Sequence, residues 1–581
     1  MLGTHLSDLT TSLLIYMSLA VGFFGWGKAS LKILGVAGRS EGFTTSYIWL
    51  GWAICLLAFQ FIHLFFPINY IASILVLSVG FCFAVCSPVV VLRQALDGIS
   101  RIRTPGVWFI VIAVFLVVVW IASRSMLPSN NYDSGLYHFN SVRWINTYSI
   151  IPGLGNLHDR LAFNQSFFVY VAALNLPPFF GFGHSIANSF LFLLCLTSIL
   201  EFLRPALKQP RKLLDAHAFK YLPALFALPA LFLLALSSTG LTSPSPDLTS
   251  YLLQVVMFVV FSRALSDFLE GERNQDHSAV FLSVLATTAI TIKLSNLAFS
   301  ACMLVAALFL TSRQSRRVLY FPVFLLCFTI FIVWALRGVI TSGVPVFPST
   351  FGYFNVDWAM PKETIGNTAN VIVAWARMPG EHWKDVLGNW GWFESWFSGV
   401  MHNFRLVMAV SLSVIFTLLA LLALYFKKDS RLGFIEWMVV FPSIAGLVYW
   451  FFTAPDPRFS NAIFFMLLVS SISLFVTSIK DEGNKQKIFL FICIAFLVPI
   501  SVTAAWYKDQ FLRFSTSGYH STPKVDLIKR ATDSGLPVSM PESGDQGWDS
   551  PLPSSPRLNP HLRLRDPGFL SSGFVITDDR H

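Results

Sequence analysis

The chain has 581 residues, 55% of them hydrophobic and only 12% charged, where a soluble globule averages about 25% charged. That composition excludes an ordinary soluble domain and points to a polytopic membrane protein. The formal net charge of +10 sits in short basic clusters between apolar runs, so it does not indicate a nucleic-acid partner.

The first ten residues carry no basic stretch, and the apolar run after Leu13 has no cleavage site in view. It reads as a retained helix, not a signal peptide. A bilayer core needs roughly 20 apolar residues per helix. Runs that meet or approach this occupy 10–33, 47–66, 70–91, 106–126, 183–203, 220–238, 249–266, 319–336, 405–426, 432–452, 459–478 and 487–506. As a single helix the 279–312 run would reach about 51 Å at 1.5 Å per residue, too long for one crossing. A hairpin of two short helices turning at residues 293–296 fits better, giving about fourteen crossings of an all-α fold. Cys55, Cys82, Cys86, Cys195, Cys302, Cys327 and Cys493 all fall inside apolar runs. They read as small hydrophobes, with neither a disulfide framework nor a zinc site expected.

Basic residues set the expected orientation. Lys28, Lys32 and Arg39; Arg93, Arg101 and Arg103; Arg204, Lys208, Arg211 and Lys212; Arg313, Arg316 and Arg317; Lys427, Lys428 and Arg431; and Lys480, Lys485 and Lys487 mark alternate connections. With those cytoplasmic, both termini and the segments 127–182, 337–404 and 507–581 face the periplasm of a bacterial inner membrane. If "QSFFVYVAALNLPPFF" (165–180) crossed, Arg204 to Lys212 would emerge on the wrong side. It is therefore read as an interfacial or re-entrant helix. The 337–404 segment is rich in Trp (358, 375, 383, 390, 392 and 396), as suits a lid at headgroup depth. The tail opens on a short helix expected in "KVDLIKRA" and continues Pro/Ser-rich. Three parts follow: an N-terminal three-helix segment (1–104), a transmembrane core (105–506) and a periplasmic tail (507–581).

Chemistry concentrates at 130–168, where Asp133, His138, Arg143, His158, Asp159 and Arg160 follow an apolar run. A helix, then D-x-x-x-Y-H in "DSGLYH", an amphipathic helix and a second interfacial helix resemble the first periplasmic loop of GT-C glycosyltransferases. The closest similarity is to the bacterial glycosyltransferase 39-like group. Further echoes are "TIKLSN" at 291–296, "SGVPVFPSTFG" at 342–352 and "DPRFSNAIFF" at 456–465. The resemblance spans roughly 106–506 and implies sugar transfer from a polyprenyl-phosphate donor to a glycan or lipid acceptor.

In that family an acidic residue of the first loop is the general base, a position Asp133 occupies here; the alternative is a plain helix N-cap. Lys293 and Arg458, at helix ends on the periplasmic face, would answer charge on a leaving phosphate. For Lys293 the alternative is snorkelling, and for Arg458 an ion pair with Asp456. His138 would contact donor or acceptor, or else satisfy a backbone group. Asp247 in "SPSPDLTS" reads first as a helix cap and second as a sugar-orienting acid. His158, Asp159 and Arg160, after "PGLGN", read first as loop-shaping and second as acceptor contacts. No cofactor is implied, and the histidine spacing gives a metal little support. The rivals are an O-antigen ligase or polymerase, with 337–404 as its large loop; a lipid-linked glycan flippase or transporter; and a structural membrane subunit, which would leave Lys293 unexplained.

Overall fold

The computed structural model describes residues 2–576 apart from 37–42, 87–104, 178–179, 210–212, 214–216, 237, 273, 313–314, 427–434, 461, 480, 507 and 510–512. Arg39, Arg93, Arg101, Arg103, Arg211, Lys212, Arg313, Lys427, Lys428, Arg431 and Lys480 lie outside the described residues. The chain is mostly helical. Among the described residues, six helices are long and apolar enough to cross a membrane: His5–Ile33, Thr44–His63, Gly183–Lys208, Pro246–Leu269, Val318–Ser342 and Leu406–Ala423. Large apolar side chains such as Phe321, Phe324, Leu418 and Leu422 face outward, a surface suited to lipid.

Glycine draws the first three helices together. A Cβ on Gly27 would stand 1.8 Å from the Tyr47 carbonyl oxygen, and one on Gly51 1.7 Å from that of Phe23. Backbones approach this closely where helices associate through van der Waals packing of small residues. The trio is seated on Gly183–Lys208 by Tyr16, whose hydroxyl lies 2.6 Å from that of Ser189. Glu201 accepts the orphan N–H groups of Thr44 and Thr45 at 2.6 and 3.0 Å, satisfying the start of the second helix from outside.

The 279–312 run divides as its length requires. Asp276–Ile292 ends at Lys293, which is extended (φ −159°, ψ 131°). A single 3-10 turn, Leu294–Asn296, then reverses the chain into Leu297–Leu310. In the 165–180 stretch the helix is Ser166–Ala173, and every one of its side chains is buried. It dips among its neighbours: Tyr170 packs edge-on to Trp52 and Phe168 to Tyr137.

The tail departs from the expected helix. Leu527–Ala531, inside "KVDLIKRA", is a strand paired antiparallel with Pro537–Pro541, and Leu562–Leu564 pairs with Phe574–Ile576. An isolated eight-residue helix is unstable in water. Here Gly535, at φ +80°, turns the chain back so that a partner strand satisfies the backbone instead. The fold is thus not wholly helical. Val538, Leu562 and Phe574 are fully buried and join the core of the helical bundle.

This tail fixes which segments share one end of the bundle. The Tyr519 hydroxyl meets Ser12 Oγ at 2.8 Å, and buried Arg124 donates to the Arg513 carbonyl at 2.7 Å. Phe574 N–H donates to Pro152 O at 2.9 Å, and Arg565 grips Asp357 at 2.7 Å. The N-terminal helix start, the 127–182 loop, the 337–404 segment and the tail therefore gather together.

Candidate functional site

Asp133 stands in the first turn of a helical stretch that widens into a π-helix at Ser134–His138 before continuing as Phe139–Thr147. The cap is Asn131, whose Oδ1 accepts from Ser134 N–H at 3.2 Å. Asp133 is itself helical (φ −63°, ψ −23°) and its side chain caps nothing. Its Oδ2 instead accepts from Arg458 Nη1 at 2.9 Å. π-Turns leave carbonyls out of register and recur at functional sites. Here the tail takes up one of them, as Trp548 N–H donates to Gly135 O at 2.8 Å. Gln546 Nε2 donates to Tyr132 O at 2.8 Å, and the Tyr132 hydroxyl to the Asp545 carboxylate at 2.7 Å.

A Cβ on Gly135 would meet the Trp548 ring at 2.7 Å. Gly135→Val is therefore expected to lift Trp548 and loosen the tail, at an overpacking cost of about 1–3 kcal/mol. Limited proteolysis of the folded protein checks this. The variant should be nicked between 513 and 576 under conditions in which the parent is not.

The second acid–cation pair comes from two other helices. Ser245, not Asp247, caps Pro246–Leu269, its Oγ accepting from Asp247 N–H at 3.3 Å. The Asp247 carboxylate is free of capping and holds Lys293 Nζ. Phe459 joins the two pairs: Lys293 Nζ lies 4.6 Å from its ring centroid and Arg458 Cζ 4.8 Å. Asp133, Asp247, Lys293 and Arg458 thus surround one aromatic ring, two charges of each sign. The Asp456 carboxylate accepts the Arg458 backbone N–H at 2.8 Å, shaping the turn while the guanidinium reaches across to Asp133. Burial opposes charge on Arg458, yet Asp133, Asp247 and Asp456 outweigh it and raise its pKa above the ordinary value.

His138 is buried, and all four of these charges act on it. Its Nδ1 is 3.1 Å from Ser134 Oγ, which is 2.7 Å from Ser243 Oγ. Burial lowers its pKa to about 4 despite the pull of Asp133 and Asp247. At neutral pH it is an uncharged hydrogen-bond partner and not a third cation.

A buried polar chain fixes the spacing of the cations. Ala462 N–H donates to Gln254 Oε1 at 3.0 Å, and Gln254 Nε2 to Asn296 Oδ1 at 2.9 Å. Asn296 Nδ2 in turn reaches Ser250 Oγ at 3.1 Å and Ala289 O at 2.9 Å. The turn after Lys293 and the turn of Arg458 are thereby tied to the same helix that presents Asp247. Sequence reasoning missed Phe459 and Asn296, although both fall inside stretches singled out, "DPRFSNAIFF" and "TIKLSN". The hydroxyl pair Ser134–Ser243 and the Trp548 clamp carried no local signal.

Other ionisable residues of the loop are engaged in contacts within the protein. Arg143 donates to the Asp549 carbonyl and carboxylate at 2.7 and 3.1 Å. Asp159 accepts from Thr368 at 2.8 Å, and Arg160 lies 5.4 Å from the Phe163 ring centroid.

Residues 10–465 match the sequence profile of a family described as a domain of unknown function, DUF8201. The chain belongs to that family, and the matched stretch contains all five of Asp133, His138, Asp247, Lys293 and Arg458. No curated protein and no solved structure matches the chain.

Proposed function

We propose that the chain is an integral membrane glycosyltransferase of the GT-C type. It moves a sugar from a polyprenyl-phosphate donor to a cell-surface glycan or lipid acceptor on the periplasmic face of a bacterial inner membrane. The observation that carries this reading is the Asp133–Arg458 and Asp247–Lys293 constellation about Phe459.

Each cation is held by a carboxylate, and the four charges balance. A lipid phosphate entering between Lys293 and Arg458 competes with those carboxylates, and Arg suits it through bidentate hydrogen bonds. Drawing Arg458 onto the phosphate releases Asp133. The acceptor hydroxyl then attacks the anomeric carbon, its proton passes to Asp133, and the bond from that carbon to the phosphate oxygen breaks. The departing phosphate's charge stays between the two cations. Asp247 keeps Lys293 aimed, and neutral His138 holds the π-turn through Ser134.

The topology proposed with this chemistry has about fourteen crossings. The six long spans, the seven shorter apolar helices and Glu482–Trp506 would supply them. Both termini then lie with Asp133 on one side, in keeping with the contacts of Ser12, Arg124 and Gly135 to the tail. Reporters fused after Gln165 and after Lys208 are expected to signal opposite compartments. A shared compartment would remove both the topology and the site.

The decisive test of function supplies purified protein in lipid with radiolabelled polyprenyl-phosphate sugars and membrane acceptors. Transfer that depends on Asp133 and Arg458 is expected. A protein that only moves such a lipid across vesicles, with no new glycosidic bond, would establish the transporter reading instead.

A further inference from the structure

Away from the Asp133 cluster, the 337–404 segment helps form a cavity of ≈ 210 Å³ with Arg377, Asn389, Trp390, Trp392, Phe451 and Phe452 among its walls. Its aromatic sides are ordered: Trp390 stacks on Trp392 at 5.6 Å and on Phe451 at 6.4 Å. The Arg377 guanidinium lies over Trp392, 4.5 Å from the ring centroid. Arg377 Nε is buried and meets no acceptor, and among the described residues no carboxylate pairs with this guanidinium. Burial alone holds its pKa below the ordinary value.

A buried N–H lacking an acceptor is unfavourable and calls for one. Stacking covers the face of the guanidinium and leaves its N–H edge for an acceptor in the plane, which two oxygens of a phosphate match. The surroundings show how that phosphate arrives. Trp390 and Phe452 are each 63% exposed, and Trp375, Phe393 and Phe397 beside them also face outward. Such an aromatic rim, next to the apolar helix Phe441–Thr453, belongs at the headgroup layer of a bilayer. An anion presented at that depth is part of a lipid.

We propose that this cleft binds the phosphate headgroup of an anionic membrane lipid. Arg377 takes the phosphate oxygens, and Trp390 and Phe452 flank the glycerol and the first acyl carbons. Trp392 and Trp396 pack on Phe451, and Trp396 Nε1 donates to Pro455 O at 2.7 Å. A bound lipid therefore braces the Trp-rich segment against the turn that carries Arg458. The inference rests on membrane association and not on the transfer chemistry.

The test uses the full chain, purified in detergent and examined by native mass spectrometry. It is titrated with phosphatidylglycerol, with a neutral glucosyl diacylglycerol of the same acyl chains, and with inorganic phosphate. Phosphatidylglycerol is expected to bind best, and Arg377→Gln to weaken it about tenfold or more, the loss of a charge-assisted hydrogen bond. Arg377→Lys should retain part of the affinity, and Lys384→Gln, at an exposed neighbour, all of it. Should Arg377→Gln not fold, Arg377→Lys carries the comparison, since full affinity there would deny the planar fork its role. Undiminished binding by Arg377→Gln overturns the proposal. So does glycolipid binding as tight as that of phosphatidylglycerol, or inorganic phosphate binding equally well.

Discussion

Asp133→Asn is expected to fold and insert as the parent does while losing sugar transfer by roughly 10²–10⁴-fold, the usual contribution of a general base. Asn preserves the shape but cannot take the proton. Folding should be spared because Asp133 caps nothing, that task falling to Asn131. The pair it leaves is also partly in solvent, with Arg458 44% and Asp133 25% exposed, so its loss costs only about 0–1 kcal/mol. Transfer measured at matched membrane abundance decides the matter. Near-parental activity in the variant would end the claim that Asp133 is the base.

Lys293→Met should damage both stability and activity, and a second change separates the two. Lys293 and Asp247 are only 13% and 28% exposed. Removing the cation strands a largely buried carboxylate, at a cost of up to about 3–5 kcal/mol. Adding Asp247→Asn removes the stranded charge, and the double variant is expected to recover most of the lost melting temperature. It should not recover transfer, because the phosphate still lacks one of its two cations. A double variant that transfers sugar normally would reduce Lys293 to a structural counter-charge.

The sequence foretold these positions unevenly, for physical reasons. Lys293 was legible because a lysine amid apolar residues is costly wherever it is placed, and because helix length alone demanded a turn there. Asp133 and Asp247 were ambiguous, since Asp before a helix is an ordinary cap. Only the geometry of Asn131 and Ser245 assigns the caps to them and leaves the two carboxylates to pair with Arg458 and Lys293. For Arg458 the alternative to a phosphate was an ion pair with neighbouring Asp456, whereas the guanidinium pairs with Asp133. Proximity in sequence favoured Asp456, but that carboxylate is occupied by a backbone N–H. The strand at Leu527–Ala531 was illegible because its partner, Pro537–Pro541, has little strand character of its own. Pairing and burial of Val538 outweigh propensity there.

The clamp of the tail on the π-turn also sets an order in time. Tyr132 and Asp545, which hydrogen-bond, lie 413 positions apart. At about 5–20 residues per second, roughly 20–80 s of synthesis separate them. Throughout that interval the nascent chain exposes Asp133 without Trp548, Gln546 or Asp545 to hold its turn. Lys293 and Arg458 arrive in between, and the strands that seal the arrangement arrive last. The protein is therefore built so that membrane insertion runs ahead of site assembly. A chain cut before residue 513 is therefore expected to insert yet leave the turn around Asp133 without its clamp. The turn around Asp133 is thus completed by residues 545–548 only after the segments that carry Lys293 and Arg458 have been made.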